Sequence, residues 1–215
     1  MPIMRKDGTA LLFVHVPKTG GSSIEAAFRS AGWRVNYLDG NFDEGSLNQL
    51  RRCSPQHVDA ADLAATFAID RFDAVFGFVR EPLPRMVSEY LWRHRKRDSV
   101  DTSGRAFEEW LSSTFRKAKA DPWLHDNHIR PQVDFILPQA TMMRFEDGLE
   151  AGMARIARDT GLDVPVTLPR KYSAAAVTGV RSSDVNVTDK AKRLVAKFYA
   201  QDYRRLGYAK PQPSR

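Results

Sequence analysis

Apolar and polar positions along the chain alternate between two patterns. Residues 10–16 are apolar without alternation and stop at a turn signal, as a strand buried on both faces does. A glycine-bearing loop, residues 17–23, follows. Ile24, Ala27, Phe28 and Ala31 then recur at helical spacing, with Ser22 or Ser23 as the cap and Gly32 as the stop. Residues 73–79 repeat the strand pattern, and Arg80, Pro82 and Pro84 break it. Pro84 suits the first turn of a helix with Val87, Tyr90, Leu91 and His94 on one face, closed by the basic run 93–97. Residues 59–67 read as a short helix, and Phe107, Trp110, Leu111, Thr114 and Phe115 as a longer one. Residues 133–137 and 141–145 are strand candidates, the second leading into a helix through Leu149, Met153 and Ile156 that ends at Gly161. Ala191, Leu194, Val195, Phe198 and Leu206 mark a C-terminal helix stopped by Gly207. Residues 33–55 and 162–187 lack a period and read as loops. The alternation predicts an α/β fold in a single domain over residues 1–215, a mostly parallel central sheet flanked by helices, with 209–215 as a disordered tail.

Composition narrows the partners. The 215 residues are 42% hydrophobic and 27% charged, the balance of a soluble globular chain. Lys and Arg number 33 against 26 Asp and Glu, a net charge of +7 that favours an anionic partner without choosing among nucleotide, acidic glycan, nucleic acid and acidic lipid. One cysteine, Cys53, excludes an internal disulfide and any multi-cysteine metal site. Arg5 and Lys6 before the first apolar run imitate a signal peptide, but the run is short, contains His15 and lacks a cleavage site. The expectation is a cytoplasmic chain without a membrane span.

The first loop has the makings of an anion site. Backbone N–H groups at a helix start have no helical partner and point at a ligand, and the helix dipole adds positive potential. Gly20 and Gly21 allow close backbone approach, Lys18 supplies a mobile charge, and Thr19, Ser22 and Ser23 supply hydroxyls. The bland alternative is a turn that needs glycines for geometry alone. A nucleoside-triphosphatase would carry G-x-x-x-x-G-K-[ST], yet no glycine here is followed by lysine. Lys18 precedes the glycines and enters the site from the strand side.

His15-Val16-Pro17-Lys18-Thr19-Gly20-Gly21-Ser22-Ser23 resembles the 5′-phosphosulfate loop of sulfotransferases that use 3′-phosphoadenosine 5′-phosphosulfate (PAPS). The segment Val79-Arg80-Glu81-Pro82-Leu83-Pro84-Arg85-Met86-Val87-Ser88-Glu89-Tyr90 resembles the same family's 3′-phosphate segment. Within that family the carbohydrate O-sulfotransferases are the nearest in pattern. Weaker matches lie at Asp126-Asn127-His128-Ile129-Arg130-Pro131-Gln132, at Arg144-Phe145-Glu146-Asp147, and from Tyr199 through Tyr208. The resemblance implies a P-loop-like sulfotransferase architecture and PAPS as donor, held by Pro17, Lys18, Thr19, Gly20, Gly21, Ser22, Ser23, Arg80 and Ser88. It implies no metal and no nucleic acid, and a hydroxyl-bearing acceptor, a carbohydrate or glycan. The residues agree: an arginine ending a parallel strand faces the ligand side of an open sheet and can hold phosphate through paired hydrogen bonds.

Lys18 is the candidate to stabilise charge on the leaving phosphate. His57 lies about where the uronyl 2-O-sulfotransferases of the family place a catalytic histidine, and imidazole suits general-base work. An exposed loop histidine is the alternative. His128 is the runner-up base and, with His57 and Arg130, a candidate acceptor contact. His125, His128 and Asp126 make only a weak metal pattern. His15 reads as packed or loop-orienting and His94 as structural, while Tyr90 and Trp92 either stack on a sugar ring or pack. Adenine contacts are sought around Lys171, Tyr172 and Ser173. An ATP-dependent phosphotransferase and a basic glycan- or nucleic-acid-binding module are the competing readings.

Overall fold

The computed structural model describes residues 1–169 and 178–213. Lys171, Tyr172 and Ser173, and the last two residues of the tail, lie outside them. Five strands, β1 (Ile3–Lys6), β2 (Thr9–Val14), β3 (Arg34–Asn36), β4 (Ala74–Val79) and β5 (Thr141–Arg144), form one sheet in the order β3-β1-β2-β4-β5. β2, β4 and β5 pair in parallel, and β1 is antiparallel to both β2 and β3. Four of the five strands therefore run the same way. Seven α-helices stand among the described residues: α1 (Gly21–Ser30), α2 (Ala60–Thr66), α3 (Pro82–His94), α4 (Gly104–Ala120), α5 (Leu149–Thr160), α6 (Asp189–Phe198) and α7 (Ala200–Arg205).

Strand alternation sorts the core. Leu11, Phe13, Phe76 and Phe78 face α1 and α5, where Ile24, Phe28, Met153 and Ile156 complete one buried layer. Leu12, Val14 and Val75 face the other way, against Val58, Leu63, Phe135 and Leu137. A third, helical cluster joins α3, α4, α6 and Tyr203 of α7 through Leu91, Phe107, Leu111, Val195 and Tyr199. Both faces of the central strands are dry, which is why residues 10–16 and 73–79 read as unbroken apolar runs.

The sequence pattern and the fold part at five places. β1 pairs with β2 through a two-residue turn in which Asp7 and Gly8 both have positive φ, 48° and 85°. Asp-Gly is the hairpin signal such a turn requires, so β1 was marked in the sequence. β3 and a 3₁₀ turn, Leu47–Leu50, interrupt the expected loop 33–55. Residues 133–137 do not form a strand: a 3₁₀ turn, Gln132–Phe135, takes their place, because the N–H groups of Gln132 and Val133 donate to the Asp202 carboxylate instead of a neighbouring strand. The start of α1 is capped by neither serine. Gly20, at φ 91°, is the N-cap, without a side-chain bond. The C-terminal helix breaks at Tyr199, whose hydroxyl is tied to the Ile129 carbonyl at 2.8 Å.

Candidate active site

β2 and β4 are parallel neighbours, with Val14 in register with Gly77, so the chain leaves both strands on one edge of the sheet. The segments that follow them carry Lys18 and Arg80. Lys18 adopts a left-handed conformation, φ 70°, which turns the loop into the Gly20 cap and the N-terminus of α1. The Thr19 hydroxyl donates to the Val16 carbonyl at 2.7 Å and is engaged within the loop. Pro17, Gly21 and Ser23 are buried and Ser22 is exposed. Gly21 is forced by packing: a β-carbon there would lie 2.1 Å from Nε2 of His15.

Arg80 is clamped by its backbone. Gln132 Oε1 accepts from the Arg80 N–H at 2.9 Å, and Gln132 Nε2 donates to the Arg80 carbonyl at 2.7 Å. Asp202 holds Gln132 in turn. The Arg80 guanidinium stacks over Phe145 at 4.3 Å and donates to the Lys18 carbonyl at 3.3 Å. Neither Lys18 nor Arg80 forms an ion pair among the described residues, so neither cation is directly capped by a carboxylate, their leading acidic neighbours being Glu89 and Glu146. Such a surplus suits a ligand with separated phosphates. Ser88 sits half-buried on α3.

Between the two stands Arg85, fully buried. It donates through Nε to the Pro17 carbonyl at 3.0 Å and through Nη2 to the carbonyls of His128 and Arg130 at 2.8 and 3.1 Å. One side chain thus ties the first loop to the segment 128–130.

His57 closes a 3₁₀ turn, Pro55–His57, and is buried rather than exposed. Its Nδ1 lies 2.7 Å from Asp126 Oδ2, while the backbone N–H and hydroxyl of Ser54 donate to the two Asp126 oxygens at 2.6 and 2.8 Å. Burial pushes the imidazole down to about 3, against the opposing pull of Asp126, so it is neutral at physiological pH. With Nδ1–H donated to a carboxylate, the Nε2 lone pair is left free. Asp126 reaches this place through an unusual turn: His125, Asp126 and Asn127 are all left-handed, at φ 57°, 60° and 65°. Such a conformation costs roughly 1–2 kcal/mol per residue, least for Asp and Asn. The Asn127 amide, donating to the His57 carbonyl at 2.8 Å, offsets part of it.

Three imidazoles meet here. His57 packs edge-on against His15, ring centres 4.9 Å apart, and against His128, 4.8 Å apart. Nδ1 of His15 lies 2.7 Å from Glu25, and Nδ1 of His128 lies 2.8 Å from Glu89. His57, Asp126 and His128 bring one nitrogen or oxygen each within 4.8 Å of one another. Nδ1 of His57 and Nδ1 of His128 are already held by carboxylates, those of Asp126 and Glu89. Lys18 closes the site from the other side. Its Nζ lies 4.5 Å from the Trp92 ring centre, and burial lowers its pKa to about 8, opposed by Glu89.

Of the residues singled out from the sequence, Lys18, Arg80, His57 and His128 converge. Arg130 is engaged elsewhere, paired with Asp59 and stacked over Trp123 at 4.5 Å. His94 bonds the Tyr90 carbonyl at 2.7 Å, a structural contact. Asp126 as the partner of His57, and Glu89, Arg85, Gln132 and Asp202, lie inside the segments singled out from the sequence, but the sequence reading gave none of them these roles. For Asp126 the available signal was Asp-Asn, a pair tolerant of left-handed backbone. For the buried Glu89 and Arg85 no local pattern existed. No helix among the described residues is long and apolar enough to cross a membrane.

The model of the sulfotransferase family matches residues 1–209. No curated protein and no solved structure matches the chain.

Proposed function

Since the chain belongs to the sulfotransferase family, we propose that it moves the sulfuryl group of PAPS to a hydroxyl of a carbohydrate acceptor, with His57 as base. The observation that carries this reading is the pair of cations, Lys18 and Arg80, that follow adjacent parallel strand ends beside the His57–Asp126 couple and form no direct ion pair among the described residues. In it the 5′-phosphosulfate lies on the loop 17–23 and the 3′-phosphate on Arg80 and Ser88. The acceptor oxygen attacks sulfur as the bond from sulfur to the bridging phosphate oxygen breaks. The acceptor proton passes to Nε2 of His57, whose imidazolium Asp126 then stabilises. Lys18 meets the charge that develops on the leaving phosphate. Positioning and charge stabilisation carry most of the barrier reduction in such a transfer. His128 borders the acceptor side, while Arg130 stays paired with Asp59, and no step calls for a metal.

Calorimetric titration with adenosine 3′,5′-bisphosphate, AMP and ATP, without magnesium, tests the donor site. The expected result is tight binding of the bisphosphate, at least ~100-fold above AMP, lost in Arg80→Ala through the missing paired phosphate bonds. Equal binding of all three nucleotides would overturn the reading in favour of a basic binding module.

A further inference from the structure

Glu89 occupies a place that neither the fold nor the proposed chemistry explains. It lies on α3, next to Ser88, and is completely buried. A buried carboxylate away from water is costly unless it is paired. Here both oxygens are used. Oε2 takes Nδ1 of His128 at 2.8 Å, and Oε1 takes Nε of Arg93 at 2.5 Å. Arg93 continues to the His125 carbonyl at 3.1 Å, bracing the left-handed turn that presents Asp126 to His57. Lys18 Nζ lies 4.5 Å from the ring centre of Trp92, one turn along α3 from Glu89, and Glu89 is the acidic group among that lysine's leading charged neighbours. The others are Arg93 and Arg95 of α3 and Arg80 after β4, all cationic.

We propose that Glu89 is a positioning residue for sulfuryl transfer, the shared counter-charge for the Lys18 ammonium on the donor side and for the His128 ring on the acceptor side. This rests on the reading of Lys18 as the group on the leaving phosphate. The carboxylate is well suited to it: burial pushes its pKa up, but His128, Arg93 and Lys18 hold it down to about 2, so it stays ionised wherever the enzyme works. Lys18 is the vulnerable partner, because burial and three guanidiniums all favour its neutral form. Without Glu89 nothing among these neighbours resists them.

The test is the affinity for adenosine 3′,5′-bisphosphate by calorimetry between pH 7 and 10, a window in which the ligand's phosphates do not titrate. Wild type should lose affinity above pH about 8, where Lys18 deprotonates, and Lys18→Arg should remove that alkaline limb. Glu89→Gln should move the limb down by about one pH unit or more. Glu89→Asp, which keeps the charge, should leave it in place. A purely structural role would lower affinity or turnover without moving the midpoint. A wild-type profile that is flat, or identical in Lys18→Arg, overturns the proposal even if Glu89→Gln does not fold. An unchanged midpoint in a folded Glu89→Gln overturns it while leaving the sulfuryl-transfer reading intact. Absence of bisphosphate binding at every pH would remove both.

Discussion

Asp126 is bound on one oxygen by the Ser54 N–H and on the other by His57 Nδ1 and the Ser54 hydroxyl. Asp126→Asn must keep its remaining oxygen on the Ser54 N–H, which places the amide NH₂ opposite His57. An N–H facing Nδ1 selects the tautomer protonated at Nε2, and the proposed base then has no lone pair for the acceptor proton. Turnover should fall by about 10²–10⁴-fold, with bisphosphate affinity unchanged because donor contacts are untouched. Steady-state kinetics beside calorimetry checks both halves. A kcat within ~10-fold of wild type would show that Asp126 does not set the tautomer of a catalytic histidine. At this scale the sequence showed which residues were chemically interesting but not which carboxylate each imidazole takes. His57 and Asp126 are 69 residues apart, and His128 and Glu89 are 39 apart, so no spacing rule links them.

The decisive element is the unit formed by β2, the loop 17–23 and α1. It was legible because its signals are local: an apolar run, two glycines and a helical period. What the pattern left out is the reason for the second glycine. Gly21→Ala puts a methyl into the His15 ring, and that ring can leave only by giving up its edge-on contact with His57. The expected cost is about 1–3 kcal/mol of stability, the range for overpacking a filled site. A thermal melt should show the midpoint falling by roughly 2–4 °C per kcal/mol for a domain of this size. An unchanged midpoint would mean that His15 moves freely and does not brace the loop. The misread element makes the complementary point. Val133, Phe135 and Leu137 alternate like a strand and are buried like one, but the Asp202 carboxylate takes the N–H groups of Gln132 and Val133, and the segment winds into a turn. Periodicity reports burial, and a side chain from 70 residues away decided the backbone.

For the molecule as a whole the net charge of +7 acts at a distance. An anionic donor approaching the Lys18–Arg80 edge should be steered, so its association rate should fall several-fold between about 0.05 and 0.5 M salt as the Debye length shrinks from roughly 14 to 4 Å. Dissociation, governed by short contacts, should change much less. Stopped-flow titration with a fluorescent adenosine bisphosphate separates the two rates, and a salt-independent association rate would show that the charge surplus lies away from the entrance.

The three weaker sequence matches gain their meaning only at this largest scale. Gln132 from the first clamps the Arg80 backbone, and Asp202 from the third holds Gln132. Glu146 from the second accepts from the Glu81 N–H at 2.8 Å and from the Tyr208 hydroxyl at 3.0 Å. Together they fix the chain where it leaves β4. The sequence by itself determined the two candidate phosphate segments, their order and the α/β alternation that carries them, because glycine, lysine and arginine placement and hydrophobic period are properties of neighbouring residues. Tertiary structure alone decided the pairing of His57 with Asp126 and of His128 with Glu89, and the burial that holds both imidazoles below their usual range. Those depend on which distant segments exclude water together, and desolvation belongs to the packed site rather than to any stretch of chain.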